Sequence, residues 1–230
     1  MHILIVGAGA MGSRLAIYLK KAGHEVRLLD GWKEHIEAIR DKGLEADLNG
    51  EKVCLPFPIK SFEEYKEAPF EGKDDLVIFL VKSAQLDQAV RLVKDNLHEN
   101  TLALSLLNGL GHRDTLEKYL PTENILIGNT MWTAGLKGPG HAILDGDGFI
   151  AVGHPGKDER GLKKAQELAD IFTEAGLVGR YAEDIGKIIY LKATVNGTLN
   201  PFSTLLEANV GELVKSVGNL DLFHEVAKEF

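Results

Sequence analysis

The sequence predicts an α/β protein in which a parallel sheet near the N-terminus is followed by an all-helical segment. As far as residue 135, short apolar runs alternate with amphipathic stretches, a pattern typical of strands joined by helical crossovers. A glycine-rich turn follows the first apolar run, at residues 7–12. Beyond residue 182 the hydrophobic pattern is helical. These observations predict a sheet domain at residues 1–182 and a helical domain at residues 183–230.

The composition of the 230 residues is that of an ordinary globular protein, with 44% hydrophobic and 26% charged residues. The 34 acidic residues outnumber the 26 basic ones, so we expect no nucleic-acid partner. The single cysteine, Cys54, excludes an intrachain disulfide and a cysteine-based zinc site, and it fits a reducing compartment. The longest fully apolar run, residues 76–81, is too short to span a bilayer, and the N-terminal run lacks the charge pattern of a signal peptide. We therefore expect a cytoplasmic protein.

The apolar runs and the stretches between them predict the elements of the sheet domain in order. Five strands are predicted at residues 2–6, 24–30, 75–81, 101–107 and 124–132. Helices are predicted at residues 13–22, 32–42, 84–97 and 113–120. Asn49-Gly50 lies between two short runs within residues 45–56 and is the strongest local signal for a β-hairpin.

The elements after residue 135 are expected to be of a different kind. Residues 137–140 predict a turn. Residues 142–144 and 149–153 bracket Asp145-Gly146-Asp147-Gly148, which predicts a second antiparallel hairpin.

The last part of the chain predicts a long helix at residues 158–175, a short strand at residues 178–181 and two further helical stretches. Residues 220–230 end without a helix cap, so we expect the helical domain to be cut short. The apolar faces that we expect to be uncovered lie around Val214, Leu220 and Leu222.

The turn at Gly7-Ala8-Gly9-Ala10-Met11-Gly12 has the spacing of a dinucleotide-binding loop and lies between a predicted strand and a predicted helix. In such a loop the first glycine permits a tight turn, the second lets the backbone approach a pyrophosphate, and the third lets helix and strand pack closely. The phosphates then meet the free N–H groups at the helix N-terminus. A structural turn without a cofactor is the alternative. The candidate cofactor-binding residues of this Rossmann-like domain are Gly7, Gly9, Ala10, Met11 and Gly12.

Asp30 ends the second predicted strand. A carboxylate at this position of a dinucleotide site accepts hydrogen bonds from the adenosine ribose, which favours NAD. Lys33 lies close to Asp30 in the sequence and would instead favour NADP, because its ammonium could neutralise the 2′-phosphate. Asp30 could also be a turn or capping residue before the next helix. The pattern leaves the choice between NAD and NADP open.

Two further polar residues follow predicted strands. Lys82 comes directly after residues 75–81, and Asn108 follows residues 101–107. In an open α/β sheet, residues just past the carboxyl ends of the strands face the ligand crevice. Lys82 is therefore a candidate for binding a substrate carboxylate or the cofactor, and Asn108 is a candidate for the same crevice. A surface lysine and a plain turn asparagine are the structural alternatives.

Lys192, Asn196 and Asn200 recur every four residues, which places them on one face of a predicted helix. The residues around them are apolar, which predicts a buried helix with a polar stripe. Buried polar groups need partners, and a substrate would supply them. The alternative is a solvated stripe on a surface helix, which the poor helix propensity of asparagine disfavours.

Taken together, these motifs resemble those of the ketopantoate reductase (2-dehydropantoate 2-reductase) family over essentially the whole chain. The motifs that carry the resemblance are Gly7-Ala8-Gly9-Ala10-Met11-Gly12, Val81-Lys82, Leu107-Asn108-Gly109 and Lys192-xxx-Asn196-xxx-Asn200-Pro201. The resemblance implies NADPH-dependent reduction of 2-dehydropantoate to pantoate, on the route to pantothenate and coenzyme A.

The resemblance also implies roles for individual residues. Lys192 would be the catalytic acid, while Asn196 and Asn200 would hold the substrate. Lys82 and Asn108 would line the nicotinamide end of the cofactor, with Lys82 also in reach of the substrate. Family members are longer, and their C-terminal helices add a serine and a glutamate to the substrate pocket.

Asp30 departs from the family's pattern, because an NADPH enzyme prefers a basic or neutral residue at this position. The alternative within the same class is an NAD-dependent D-2-hydroxyacid dehydrogenase acting on branched 2-keto acids. The alternative from a different class is a nucleotide-binding protein without catalysis. The expected partner is a small-molecule 2-keto acid, and a homodimer is one option for the assembly. His98 and His112 are isolated and form no metal-binding motif, so we expect no metal.

Overall fold

The computed structural model describes residues 1–156, 158–215 and 219–229. Contacts between residues divide the chain into two compact units. The first unit comprises Met1–Leu107 and Gly111–Ile185, and the second comprises Asn108–Leu110 and the chain from Gly186 onward. The division predicted above, into a sheet domain at residues 1–182 and a helical domain at residues 183–230, stays a prediction.

Strands and helices alternate through most of the first unit. The strands are β1 (His2–Val6), β2 (Glu25–Asp30), β3 (Leu44–Leu48), β4 (Glu51–Leu55), β5 (Ile59–Ser61), β6 (Leu76–Phe79), β7 (Leu102–Ser105), β8 (Ile125–Thr130), β9 (Gly135–Gly138), β10 (His141–Ile143), β11 (Ile150–Gly153) and β12 (Gly179–Tyr181). The helices of the described chain are α1 (Ala10–Lys21), α2 (Lys33–Lys42), α3 (Phe62–Glu67), α4 (Leu86–Val93), α5 (His112–Leu116), α6 (Glu159–Glu174), α7 (Ile185–Leu205), α8 (Val210–Lys215) and α9 (Asn219–Ala227).

The main sheet has the strand order β12-β11-β8-β7-β6-β1-β2-β5. β11 runs antiparallel to β8, and the other neighbouring pairs are parallel. The predicted parallel sheet is therefore confirmed, with the five predicted strands at its centre. β2 and β6 lie on opposite sides of β1, which creates a topological switch point, and ligands bind at the carboxyl ends of the strands at such a point.

The core explains why the central strands have unbroken apolar sequences. β1 and β6 are covered on both faces, as is usual in parallel sheets. Ile3 and Ile5 of β1 are fully buried and pack in one cluster with Leu15 and Leu19 of α1. Burying each of these side chains stabilises the fold by about 1.5–3 kcal/mol, so α1 is held firmly behind the glycine turn.

A second sheet of four strands has the order β4-β3-β10-β9. The hairpin predicted at Asn49-Gly50 is confirmed, because β3 and β4 pair antiparallel around these two residues, which both have positive φ. The turn predicted at residues 137–140 joins β9 to β10, which also pair antiparallel.

The second predicted hairpin, between residues 142–144 and 149–153, is wrong. β10 belongs to the second sheet, where it pairs with β9 and β3, whereas β11 belongs to the main sheet. The segment between them is held by distant partners and does not form a reverse turn of a hairpin. Arg14 donates to the Asp145 carbonyl (3.0 Å), and Gly146 N–H donates to Asn49 Oδ1 (3.1 Å).

In the described residues, the second unit contains α7, α8 and α9, with Phe202 of α7 packed on Phe223 of α9 (ring centroids 5.0 Å apart). Leu222 is 47% exposed, as expected above. The expectations for the side chains of Val214 and Leu220 lie outside the described residues. Within the described part of the chain, none of the helices combines the length and the apolar character needed to cross a membrane.

The capping box of α3 leads to a prediction about acid stability. Ser61 N–H donates to Glu64 Oε2 (2.7 Å), and Glu64 also pairs with Arg40. The hydrogen bonds from Arg40 and from the Ser61 N–H together lower the pKa of Glu64 from 4.5 to about 2. Since the folded pKa lies below the unfolded value, the stabilisation by this carboxylate is complete above pH 4.5 and is lost as the pH falls toward about 2.

Replacing Glu64 with Gln should therefore lower the free energy of unfolding near neutral pH and have no effect near pH 2, as measured by urea denaturation across that range. Glu67→Gln, at an exposed position of the same helix, is the matched control and should change stability little at either pH. A loss of stability in Glu64→Gln that stays constant down to pH 2 would contradict this assignment.

Candidate functional site

Two glycines of the turn between β1 and α1 are required by the fold itself. Gly7 has a φ of +104°, and a Cβ there would lie 2.7 Å from the backbone of Leu80 at the end of β6. A Cβ on Gly12 would lie 2.0 Å from the Gly7 carbonyl oxygen. Because both contacts are with backbone atoms, neither position can accept a side chain without displacing a strand.

Gly9 differs from its neighbours, because a Cβ at this position would meet no other atom within 4 Å. Gly9 precedes α1 as its N-cap, where no side chain caps the helix and no acidic residue lies in the first turn. The first N–H groups of α1 and the open space beside Gly9 fit the pyrophosphate of a dinucleotide, which needs close backbone approach. The structural alternative explains Gly7 and Gly12 but does not explain Gly9.

Asp30 connects the glycine turn to the end of β2. Its Oδ2 accepts the Ala8 N–H (2.6 Å), and its Oδ1 accepts the Trp32 N–H (2.8 Å). Asp30 is therefore a turn residue, as one of the two interpretations above had it. The ribose-binding interpretation is compatible with this, because the two carboxylate oxygens together accept about four hydrogen bonds.

A cleft of about 390 Å³ lies over the carboxyl ends of β1, β2 and β6. Four of the predicted site residues line this cleft, namely Gly7, Gly9, Asp30 and Lys82. The residues that sequence reasoning missed in this cleft are Gly31, Trp32, Phe62, Leu80, Val81 and Gln85. Trp32 could have been found from its position two residues after Asp30, whereas Phe62 comes from an element that was not predicted.

The cations near Asp30 in the sequence are already paired with acids. Lys33 pairs with Glu37 (3.9 Å), and the side chain of Arg27 is largely buried against Asp74 (2.6 Å). Burial raises the pKa of Asp74, although the hydrogen bond from Arg27 lowers it in part. Because these two cations are paired with acids, they offer a 2′-phosphate a weaker positive potential than unpaired cations would.

Lys82 and Asn108 both follow strand ends, as predicted. Lys82 is exposed in the cleft, and its N–H donates to Gln85 Oε1 (3.3 Å). Asn108 is exposed, follows β7 and belongs by its contacts to the second unit. Asn108 also has an interaction partner within the chain.

Lys192, Asn196 and Asn200 lie on α7, so the predicted helix is confirmed. Lys192 and Asn196 are half-buried and Asn200 is exposed. Burial lowers the pKa of Lys192 from its ordinary value of 10.5. Lys192 has an interaction partner within the chain. The argument that this lysine needs a substrate as its partner therefore does not hold.

The prediction of a buried helix with a polar stripe is wrong, because several apolar side chains beside the stripe are exposed. Tyr190, Leu191 and Val195 are 48%, 64% and 45% exposed, and Thr198 is buried. The physical reason is that α8 and α9, the other described helices of the second unit, have six and nine residues and cannot cover every face of the 21-residue α7. Among the described residues, no group of three or more His, Cys, Asp and Glu side chains is arranged to hold a metal ion.

Comparisons with known proteins agree with the motifs. The family model for ketopantoate reductase PanE/ApbA matches residues 3–157. The 2-dehydropantoate 2-reductase of Lactococcus lactis is 44% identical over 232 residues, covering 100% of this chain and 72% of that protein. The 2-dehydropantoate 2-reductase of Streptococcus pyogenes is 40% identical, again covering 100% of this chain and 72% of the relative.

A solved structure of a D-mandelate dehydrogenase with NADH and anilino(oxo)acetate is 42% identical to this chain. The two structures superpose with a TM-score of 0.90, and the match covers 99% of this chain and 73% of the chain of the dehydrogenase.

The different roles of the glycines lead to a prediction. Gly12→Ala should destabilise the fold by about 1–3 kcal/mol or more, because its Cβ collides with a backbone carbonyl. Gly9→Ala should change the free energy of unfolding by less than about 1 kcal/mol yet weaken dinucleotide binding, since its Cβ projects into the open cleft. Thermal unfolding and calorimetric titration with NADH measure the two effects. Equal loss of stability in both variants would contradict the division of roles.

Proposed function

This chain belongs to the ketopantoate reductase family, and on that premise we propose that it is an oxidoreductase that reduces 2-dehydropantoate to pantoate with a nicotinamide dinucleotide. The observation that carries the proposal is the 44% identity to a 2-dehydropantoate 2-reductase along the full length of this chain. The product is the precursor of pantothenate, so the chain acts in pantothenate biosynthesis.

We propose that the glycine turn holds the cofactor. The open space beside Gly9 and the uncapped N-terminus of α1 support binding of the phosphates there. The turn residues assigned to the phosphates are Gly7, Gly9, Ala10, Met11 and Gly12. Asp30 is assigned to the adenosine ribose, while Lys82 and Asn108 are assigned to the nicotinamide end, because they follow strand ends of the sheet.

A nicotinamide cofactor held by the residues named above would supply a hydride to the ketone carbon of the substrate. The ketone oxygen then gains negative charge and needs a proton. We assign this proton to the Lys192 ammonium, which the lowered pKa brings closer to the working range of pH. Asn196 and Asn200 cannot titrate near neutral pH, so their role is to orient the substrate, and Lys82 is a candidate partner for its carboxylate.

A second candidate function is supported by Asp30 and by one relative. An NAD-dependent D-2-hydroxyacid dehydrogenase would use the same hydride and proton transfers on a different 2-keto acid. The carboxylate at the end of β2 suits NADH better than NADPH, and the D-mandelate dehydrogenase at 42% identity was solved with NADH.

We propose a cytoplasmic location, which the free and exposed Cys54 supports, because reducing compartments keep such thiols unpaired. A homodimer stays one option for the assembly. Light scattering of the purified protein measures that state directly.

The function is tested by following oxidation of NADH and of NADPH with 2-dehydropantoate, with a branched 2-keto acid and with phenylglyoxylate. Ketopantoate reduction predicts the highest kcat/KM with 2-dehydropantoate. A preference for either of the other acids supports the dehydrogenase. Binding of cofactor without oxidation by any acid would contradict both and support a nucleotide-binding protein.

Asp30 leads to a prediction about cofactor choice. Asp30→Ala should raise the affinity for NADPH relative to NADH, because the like charge facing a 2′-phosphate is removed. Both absolute affinities should fall, since the Ala8 and Trp32 N–H groups lose their acceptor. Titrations with both cofactors give the ratio. Glu34→Ala, an exposed acid in the first turn of α2, is the control and should leave the ratio unchanged. An unchanged ratio in Asp30→Ala would show that the carboxylate faces away from the ribose.

Lys192→Ala should lower kcat by about 10²–10⁴-fold, the usual effect of removing a general acid, and leave cofactor affinity nearly unchanged. In the unmodified enzyme, kcat should fall as the pH rises through a value below 10.5, because the proton donor is then lost. Lys187→Ala, at an exposed position of the same helix, is the control. Asn200→Ala should act mainly on KM. A near-normal kcat in Lys192→Ala would transfer the role of acid to another group, with Lys82 as the next candidate.

A further inference from the structure

We propose that the indole ring of Trp32 is the stacking surface for the adenine base of the cofactor, and that His35 holds the ring in place. The inference rests on the proposed function, in that it assigns a residue to the adenosine half of the dinucleotide.

The position of Trp32 in the sheet supports this assignment. Trp32 lines the cleft that also contains Gly7, Gly9 and Asp30. Its N–H donates to Asp30 Oδ1 (2.8 Å), so the ring begins two residues beyond the carboxylate assigned to the ribose. Because the adenine base is bonded to the ribose that Asp30 is assigned to hold, the base lies close to the residues at which the chain leaves β2.

His35 fixes the indole from behind. The two rings are stacked with centroids 5.3 Å apart and an interplanar angle of 6°. His35 is fully buried, its Nε2 donates to the Ala8 carbonyl (2.9 Å), and its Nδ1 accepts the Gly140 N–H (2.9 Å). Both ring nitrogens are therefore occupied, and the imidazole cannot rotate without losing a buried hydrogen bond. One face of Trp32 is therefore in offset contact with a rigid ring.

The exposure of Trp32 is the observation that calls for a ligand. Its side chain is 39% exposed at the cleft, whereas the other tryptophan, Trp132, is 9% exposed and donates its Nε1–H to the Leu177 carbonyl. A purine base is flat, apolar on its faces and uncharged, so it covers an exposed indole without requiring a counter-charge. The neighbouring Lys33 is paired with Glu37, which fits an uncharged ligand on the indole ring.

The test compares two halves of the cofactor, ADP-ribose, which contains adenine, and reduced nicotinamide mononucleotide, which does not. Calorimetric titration of Trp32→Ala should show affinity for ADP-ribose lowered by about tenfold, the effect of removing one aromatic–base stack. Affinity for the mononucleotide should not change. Tyr181→Ala is the matched control, because Tyr181 is an aromatic residue of similar exposure (37%) on β12, at the opposite edge of the sheet.

Trp32→Phe gives a second readout that does not depend on how well Trp32→Ala folds. ADP-ribose should change the tryptophan fluorescence of the unmodified protein, and Trp32→Phe should lose that change because only the buried Trp132 remains. An unchanged fluorescence response in Trp32→Phe would overturn the proposal. Unchanged affinity of Trp32→Ala for ADP-ribose would overturn it as well, as would an equal loss for both ligands, which would mean that the substitution disturbs the glycine turn.

These outcomes are separate from the proposed function. If Trp32→Ala weakens ADP-ribose binding while the unmodified protein reduces no 2-keto acid, the inference stands and the enzymatic function fails. If the unmodified protein reduces 2-dehydropantoate and Trp32→Ala binds ADP-ribose normally, the function stands and the inference fails.

Discussion

The cleft over the main sheet depends on the two hydrogen bonds accepted by Asp30. One carboxylate oxygen holds the Ala8 N–H in the glycine turn, and the other holds the Trp32 N–H at the start of α2. These bonds join the carboxyl ends of β1 and β2, which lie on one side of the switch point between β1 and β6. Bonds to a charged acceptor are stronger than neutral ones, so a single side chain both shapes the cleft and places negative charge in it.

The second sheet supports the same turn from behind. Gly140, between β9 and β10, donates its N–H to His35, and His35 in turn donates to the Ala8 carbonyl. Gly140 has a φ of +70°, and a Cβ there would lie 2.8 Å from that of Ala38, so the approach of this turn to α2 requires glycine. The small antiparallel sheet therefore helps to determine the conformation of a loop in the main sheet, although it forms no part of the cleft described above.

The charges around β2 do not match the NADPH preference that the resemblance to the family implies. The resemblance implies NADPH, and a 2′-phosphate needs an available cation. Lys33 is paired with Glu37, Arg40 with Glu64, and Arg27 lies against a buried carboxylate. Surface pairs such as the first contribute little to stability, but they lower the positive potential that a phosphate would meet. The family membership and the local electrostatics thus favour different cofactors, and Asp30 is the residue at which they diverge.

Hydrophobic periodicity and short motifs were sufficient to predict the central strands, the glycine turn, the hairpin at Asn49-Gly50 and the position of Asp30, because each depends on residues close together in sequence. The capping-box spacing Ser61-xx-Glu64 was also present and could have revealed α3. Only the tertiary structure decided which distant segments of the chain contact each other and which faces of the helices are buried. Asp145-Gly146-Asp147-Gly148 has the composition of a hairpin turn, yet its hydrogen bonds go to Arg14 and Asn49, far away along the chain. The exposure of α7 and the hydrogen bond that Gly140 donates to His35 likewise depend on which elements pack nearby. Such long-range choices are made by burial and by satisfying backbone groups across the whole fold, and no local window of sequence contains both partners.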